Sequence, residues 1–203
     1  KCGDVKCLEG TTFGAASSRH LDTFFCEWST FGTDWCNGIE MDRATNGSHT
    51  LSRPVCNFTT QMTVNADVAL KLIGNASFPT VLSGMKTTRF FYVYGQLTLV
   101  DLILKDGESS GNGGAFVVES FGSKLHLIRS VVMECVASSW GGAGYVFKSG
   151  VLSMENSTLK MNQGTYGGAL CTGSGAVVKM VGGGASFLGG NVATDHGGGL
   201  YLS

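Results

Sequence analysis

The sequence predicts an all-β chain wound as a right-handed, single-stranded parallel β-helix, or β-solenoid. A motif of two glycines followed by Ala or Gly recurs at spacings of 28, 26 and 30 residues, beginning at Gly113, Gly141, Gly167 and Gly197. Apolar-polar-apolar triplets recur at spacings of 28, 27 and 26 residues, beginning at Leu97, Leu125, Leu152 and Val178. Two markers that keep step indicate structural repeats, and the alternation within each triplet is typical of strands.

The length of the repeat favours one architecture. A unit of about 27 residues is too short for a propeller blade, which needs roughly 40 to 50, but it fits one coil of three short strands and three bends. The chain has 31 glycines, which suit sharp bends, and only two prolines, which would interrupt strand pairing. Stacked coils pair each strand with its equivalent in the next coil. We therefore expect parallel sheets around an apolar column, with the right-handed winding usual for parallel crossovers.

The repeats resemble those of a known group of proteins. Residues 150–162, 166–170, 187–191 and 197–201 are similar to the GGA and F-x-x-N repeats of polymorphic outer-membrane proteins and related pectin-lyase-like β-helix proteins. The similarity extends over residues 60–203. It departs from the pattern where the segment from Phe187 to Asn191 has one residue too many and where Glu134 occupies an Asn position. The resemblance thus implies an interrupted asparagine ladder, and it selects no function, because this scaffold serves adhesins, lyases and structural fibres alike.

Residues 1–58 lack the repeat and are predicted to form an N-terminal cap, which the coils of residues 59–203 follow. This segment holds five of the seven cysteines: Cys2, Cys7, Cys26, Cys36 and Cys56. They predict a disulfide-bonded cap whose odd cysteine is free, pairs with Cys135 or Cys171, or bridges to another molecule. The aromatic residues of the cap either plug the open end of the solenoid or form a platform that stacks on sugars.

Composition indicates the compartment and excludes some partners. The net charge is −1 and 14% of the residues are charged, so nothing favours nucleic acid binding. The apolar runs are far shorter than the roughly 18 to 20 residues that span a bilayer. A first residue other than Met indicates a processed chain or a fragment of a larger one.

Four N-glycosylation sequons begin at Asn46, Asn57, Asn75 and Asn156. Together with the cysteines, they predict a secreted glycoprotein, extracellular or at a cell surface, that carries covalent N-glycans. Asn156 is the weakest of the four acceptors, because it occupies a bend position of a kind that can point inward. A buried acceptor could not carry a sugar.

Alignment of the repeats stacks charged residues on successive coils. Asp101 lies over Arg129 and Asn156, and a second column contains Asp106, Glu134 and Met161. Thr98, His126, Ser153 and Lys179 form a third, outward column. A polysaccharide lyase or epimerase on this scaffold would use the basic stripe formed by Lys124, His126 and Arg129, with Asp101 beside it. The simpler interpretation is a solvated strand face.

The acidic residues give little material for a metal site. Asp106 and Glu134 could share a cation, but they sit at a bend and lack a third ligand. No metal or cofactor is therefore expected. The chain is not expected to be an enzyme, since no nucleophile elbow or other anchoring motif is present.

The chain ends inside a strand pattern, at Leu200, Tyr201 and Leu202, with no polar cap. An uncapped last coil exposes unpaired backbone groups above an apolar core, which is a template for another chain. The sequence therefore predicts a structural extracellular protein, a subunit or segment of a fibre, appendage or adhesin. It would assemble head to tail into a filament or continue in a larger chain. The alternative function is a polysaccharide-acting enzyme or a carbohydrate-binding module, with a polysaccharide as partner.

Overall fold

The structure is a computed structural model and describes residues 44–51, 53–181 and 187–203. All of these residues belong to one compact unit, Trp35–Ser203. The first 43 residues of the predicted cap, including Cys2, Cys7, Cys26 and Cys36, lie outside the described residues. The expectations about the cap therefore stay predictions.

The described residues form 22 β-strands and no helix, and the strands follow one another around six coils. Coils 1 and 2 contain β1 (Gly47–Thr50), β2 (Val55–Asn57), β3 (Met62–Val64), β4 (Ala69–Ile73), β5 (Thr80–Ser83) and β6 (Phe91–Val93). Coils 3 and 4 contain β7 (Gln96–Val100), β8 (Leu102–Lys105), β9 (Glu108–Ser109), β10 (Phe116–Glu119), β11 (Lys124–Ile128), β12 (Val131–Met133), β13 (Val136–Ala137) and β14 (Gly144–Phe147). Coils 5 and 6 contain β15 (Val151–Glu155), β16 (Thr158–Lys160), β17 (Gln163–Tyr166), β18 (Leu170–Thr172), β19 (Val177–Val181), β20 (Phe187–Gly189), β21 (Val192–His196) and β22 (Leu200–Leu202).

Equivalent strands of successive coils pair in parallel and form four sheets. Sheet A has the order β1-β4-β7-β11-β15-β19, sheet B β2-β5-β8-β12-β16-β20, and sheet C β3-β6-β10-β14-β18-β22. Sheet D is shorter, with the order β9-β13-β17-β21. The predicted all-β solenoid with parallel sheets is thus confirmed. The expected three strands per coil are found only in coils 1 and 2, because sheet D adds a fourth strand from coil 3 onward.

The coils begin earlier than the predicted boundary between residues 58 and 59. Strand β1 pairs with β4 through Ser48 opposite Lys71, and β2 pairs with β5 through Cys56 opposite Leu82. Residues 47–57 are therefore the start of coil 1 and not part of a separate cap. Strand β1 escaped detection because it has the sequence Gly-Ser-His-Thr and is largely exposed, so it carries no apolar alternation.

The core consists of columns of inward side chains, and each coil contributes one residue to a column. In sheet A, Leu70, Leu97, Leu125 and Leu152 occupy equivalent positions in consecutive strands and are buried. This register confirms the triplet alignment drawn from the sequence. Near the first coils the column contains aromatic rings, with Phe58 edge-on to Phe90 and Phe91 at centroid distances of 5.2 and 5.6 Å.

The glycine pairs occupy two different columns at the bend that precedes sheet C. The first glycine of each pair has a positive φ, which is 60° at Gly113 and 71° at Gly141 and Gly197. The second glycine stands where consecutive coils approach closely. A Cβ on Gly142 would lie 2.1 Å from the carbonyl oxygen of Gly168 in the next coil. The alanine that follows is buried in the core at positions 115, 143 and 169. The motif therefore meets a backbone requirement at its two glycines and a packing requirement at its third position.

The buried asparagine position lies at the bend between sheets B and D, and its register corrects the expectation from the sequence. Thr158 pairs with Phe187 and Leu159 with Leu188, so Leu188 and not Phe187 begins the F-x-x-N segment, no residue is extra, and Asn191 stands over Asn162. Val132 pairs with Leu159, which places Cys135 at the asparagine position of coil 4 in place of the expected Glu134. The ladder consists of the two asparagines, with the cysteine below them.

Candidate functional site

The basic stripe expected on sheet A forms in the predicted register. His126 pairs with Thr98 on one side and Ser153 on the other. Arg129 donates from Nε and Nη2 to the two carboxylate oxygens of Asp101, each at 2.7 Å. This hydrogen bonding raises the pKa of the Arg129 guanidinium, so the group gives up its proton less readily than a free arginine does. The pair therefore links coil 3 to coil 4 through two charged hydrogen bonds.

The other members of the stripe are not assembled around a common point. The His126 imidazole of coil 4 lies 3.8 Å from the carboxylate of Glu155 in coil 5. Asp101 is in coil 3, so it lies on the opposite side of His126. Lys124 is exposed and stands opposite Gln96 and Val151 in the two neighbouring strands. The structure thus brings Asp101 and Arg129 together, while His126 and Lys124 remain separate groups on a solvated face.

The second charged column has the register expected from the sequence. A positively charged side chain already lies beside its two carboxylates. Asp106, Glu134 and Met161 all have left-handed backbone, with φ of 58°, 55° and 54°. The Lys105 ammonium lies 3.2 Å from Glu134 and 4.0 Å from Asp106. Hydrogen bonding to Glu134 raises the pKa of Lys105, which keeps the ammonium protonated. Among the described residues no group of three or more His, Cys, Asp or Glu could hold a metal ion.

Three cysteines lie in the described part of the chain. Cys56 is buried in β2, and its pairing with a cysteine of the cap stays a prediction. Cys135 and Cys171 are free and buried, which rules out the alternative in which the odd cysteine of the cap pairs with one of them. Burial raises the pKa of the Cys135 thiol to about 12 and that of Cys171 to about 11.

Cys135 and Cys171 are expected to resist alkylation while the chain is folded. Only the thiolate reacts, and these pKa values leave almost no thiolate at pH 8. Peptide mapping after iodoacetamide treatment at pH 8 should find both residues unmodified in the native chain and both alkylated in urea. Labelling of Cys135 in the native chain would contradict a closed interior at coil 4.

A groove lined by aromatic and charged side chains lies on the outer face of sheet C, and we call it the aromatic groove. Its cavity volume is about 330 Å³, within the roughly 300 to 1,000 Å³ typical of ligand pockets. Val117 and Tyr145 form the floor, where they point outward from β10 and β14 yet are buried. The remaining lining residues are Arg89, Tyr92, Asn112, Glu119, Trp140 and Phe147.

The rings of the aromatic groove hold one another in place. Trp140 and Tyr145 lie 5.4 Å apart with their planes inclined by 55°, while Tyr145 and Phe147 lie 5.5 Å apart and nearly parallel at 19°. A Cβ on Gly173 would lie 2.5 Å from the ring of Phe147, so only glycine lets that ring rest on coil 5. The walls are the half-buried rings of Tyr92, Trp140 and Phe147.

The charges of the aromatic groove are arranged around Glu119. The Lys148 ammonium donates to Glu119 Oε1 at 2.6 Å, and the Tyr92 hydroxyl donates to Glu119 Oε2. These two hydrogen bonds lower the pKa of Glu119, which keeps the carboxylate ionised. Burial and the bond to Glu119 raise the pKa of Tyr92, so its hydroxyl keeps its proton.

Arg89 enters the groove from the other side. Its Nε donates to Gln61 Oε1 at 2.7 Å and its Nη1 donates to the carbonyl of Asn112. No carboxylate among the described residues pairs with it, and burial lowers the pKa of its guanidinium. The guanidinium also lies over the ring of Tyr92, at 5.2 Å from the centroid.

Sequence reasoning did not find the aromatic groove. Tyr92, Tyr145 and Tyr201 occupy equivalent positions on sheet C, with Val117 and Cys171 between them. Alternation along a strand shows that these residues share a face but not which face is outward. Trp140 precedes a glycine pair and carries no strand pattern at all. The available signal was an alignment of residues 91–94 with residues 144–147 as equivalent parts of two repeats, which places Tyr92 and Tyr145 in one column.

All four sequon asparagines are exposed. Asn156 lies at an outward bend with a φ of 49°, so the expectation that it could face inward is wrong. Asn46 and Asn57 belong to coil 1, and Asn75 and Asn156 lie in the connections from sheet A to sheet B. None of the four lies on sheet C.

Coil 6 exposes residues whose equivalents in coil 5 are buried. Met154 and Leu170 are 0% exposed, whereas Met180 and Leu200, which occupy the same inward columns, are 45% and 38% exposed. Strands β19, β20, β21 and β22 are the last strands of their sheets among the described residues. The predicted assembly residues Leu200, Tyr201 and Leu202 form β22 at this edge.

No family model matches the sequence, and neither the curated proteins nor the solved structures give a match. The resemblance to polymorphic outer-membrane and pectin-lyase-like repeats therefore stays an interpretation of the motif. Within the described part of the chain, no helix is long and apolar enough to cross a membrane.

Proposed function

We propose that the chain is an architectural, extracellular β-solenoid, wound right-handed, that functions by stacking coil on coil. The observation that carries this proposal is the edge of coil 6. There, four strands are the last of their sheets among the described residues, and inward residues such as Met180 and Leu200 are exposed. Contact with a further coil would bury this apolar surface and pair the four strand edges, and both effects favour the contact.

The further coil is supplied by a second copy of this chain or by more of the same polypeptide. In the first case the contact is head to tail, because the last coil of one chain contacts the N-terminal end of another. Repetition of such a contact gives a filament whenever the rotation does not close. A secreted fibre, appendage or adhesin, with a disulfide-bonded cap and N-glycans on sheets A and B, fits this mode of assembly.

The glycine column supplies a specific test of stacking. A Cβ on Gly198 would lie 3.7 Å from Asn191 O, an ordinary contact within coil 6. The equivalent Cβ on Gly168 would lie 2.2 Å from Gly198 O in the coil above it. Gly198→Ala should therefore leave the isolated chain stable and abolish stacking on coil 6. Electron microscopy and sedimentation of the two proteins would measure this.

The expected result is filaments from the unmodified chain and monomers with an unchanged melting temperature from Gly198→Ala. An unmodified chain that stays monomeric at high concentration contradicts self-stacking. Filaments that persist in Gly198→Ala contradict a solenoid contact at this edge.

The alternative of a lyase or epimerase on the face of Lys124, His126, Arg129 and Asp101 has less support. Proton abstraction needs a base that can give up its own proton first. The bidentate contact with Asp101 opposes that at Arg129. We therefore propose a scaffold and not an enzyme.

A further inference from the structure

We propose that the aromatic groove on sheet C is a binding site for a saccharide that carries an acidic group, a carboxylate or a sulfate. The site lies on coils 2 to 4 and does not depend on the stacking of coil 6. It would give the solenoid a lateral, ligand-binding face in addition to its two ends.

The first argument is the shape and chemistry of the walls. A pyranose ring has apolar C–H faces and a polar rim, so it suits flat aromatic surfaces bordered by hydrogen-bonding groups. The half-buried rings of Trp140 and Phe147 border the groove, and the buried Tyr145 ring lies between them. Tyr and Trp suit such contacts because each combines an apolar body with a polar handle. These rings are already positioned by mutual packing, which lowers the entropic cost of binding.

The second argument is the balance of charge. Glu119 is matched by Lys148 at 2.6 Å, whereas Arg89 has no carboxylate partner among the described residues. The groove therefore carries one uncompensated positive charge. Arg89 is partly buried, and two of its nitrogens are already held by Gln61 and by the carbonyl of Asn112. A fixed guanidinium with a remaining nitrogen suits a carboxylate or sulfate, which it recognises by charge-assisted hydrogen bonds.

The third argument is the distribution of the sequons. All four acceptor asparagines lie in, beside or between the strands of sheets A and B: Asn57 ends β2, and Asn75 and Asn156 lie in connections between the two sheets. N-glycans at these positions would cover that side of the solenoid and leave sheet C accessible. A face kept free of attached sugars is the face available to a ligand.

A proline-rich peptide is the competing occupant, because such segments also dock against aromatic grooves. A proline-rich peptide has no acidic group that would pair with an arginine lacking a carboxylate partner. The charge of Arg89 therefore favours the acidic saccharide, and the peptide serves as one arm of the test.

The test measures binding to the 203-residue chain by calorimetry. The probes are a uronic acid tetrasaccharide, the same tetrasaccharide with its carboxyl groups methyl-esterified, a sulfated tetrasaccharide and a proline-rich peptide. We expect binding of one or both acidic probes and at least about tenfold weaker binding of the neutral ester, the effect of losing one charged hydrogen bond. The comparison of acid with ester tests the charge on the unmodified protein, so it holds even if a variant fails to fold.

Two variants locate the site. Arg89→Gln should weaken binding of the acidic probe about tenfold and leave the weak binding of the ester unchanged. Trp140→Ala should weaken both roughly fivefold, since it removes an aromatic anchor. Lys71→Gln is the matched control, because it removes an exposed positive charge from sheet A. It should bind as the unmodified chain does.

Three results would overturn the proposal. The first is no binding of any saccharide at millimolar concentration, including the case in which only the proline-rich peptide binds. The second is equal affinity for the acid and its ester. The third is saccharide binding that neither Arg89→Gln nor Trp140→Ala changes while both variants keep the melting temperature of the unmodified chain.

Discussion

Gly142→Ala is expected to destabilise the folded chain by more than about 4 kcal/mol, the range reached only by severe steric or desolvation defects. The new methyl group would lie 2.1 Å from Gly168 O and 2.5 Å from the backbone carbon of Gln163. Both atoms belong to the backbone of coil 5, so neither can rotate away as a flexible side chain would. Relief requires two coils to separate, which breaks the parallel pairing on either side. Urea denaturation followed by circular dichroism would measure the loss.

Gly198→Ala is the matched control, because Gly198 has the same place in the motif and lacks a described coil above it. Its methyl group would make only an ordinary contact of 3.7 Å. The control should unfold within about 0.5 kcal/mol of the unmodified chain, as surface substitutions usually do. If Gly142→Ala were as stable as Gly198→Ala, the coils would not approach each other closely at the second glycine. The stacking of the GGA motif would then need another explanation.

The contrast between these glycines shows what the sequence could predict about the fold. Repetition at a fixed spacing predicted the columns, because each residue type recurs where the same backbone geometry recurs. Asp101 over Arg129 and Thr98 beside His126 are examples that the register confirms. The sequence could not place coil 1, since β1 is polar and largely exposed and therefore shows no apolar alternation.

The candidate site was less accessible to sequence reasoning. The charged residues singled out from the sequence are the ones that coil stacking pairs with one another, as Arg129 is paired by Asp101. The aromatic groove depends on which face of sheet C points outward and on the position of Trp140 in a bend. Neither follows from alternation, which has the same period for an inward and an outward row. Which row points outward is decided by how the coil closes, and closure depends on all the strands and bends of one turn.

Asn162→Ala is expected to destabilise the chain by about 3 to 5 kcal/mol, because it removes three side-chain hydrogen bonds at once, two of them buried and one partly buried. Asn162 is fully buried. Its Oδ1 accepts from the Cys135 amide at 3.0 Å, and its Nδ2 donates to Val132 O at 3.1 Å and to Asn191 Oδ1 at 2.9 Å. Alanine leaves each partner buried or half-buried with one hydrogen bond fewer and opens a small cavity between coils 4 and 5.

Asn162→Asp separates the role of hydrogen bonding from that of volume. The carboxylate has nearly the same shape, but it would direct an oxygen at Val132 O and Asn191 Oδ1, which are both acceptors. At neutral pH it would also bury a charge that has no partner. Asn162→Asp should therefore be less stable than Asn162→Ala. Gln163→Ala, at an exposed neighbouring position, should change stability by less than about 0.5 kcal/mol.

Urea denaturation of the three variants at pH 7 would measure this order. An aspartate variant as stable as the unmodified chain would show that water or solvent reaches this position. The column would then not be a closed seam between coils. An alanine variant with a loss below about 1 kcal/mol would show that the two asparagines fill space without fixing the bend. With the expected order, the asparagine column is what holds the bend between sheets B and D, because there the ladder of Asn162 and Asn191 supplies hydrogen bonds that backbone pairing alone leaves unmade.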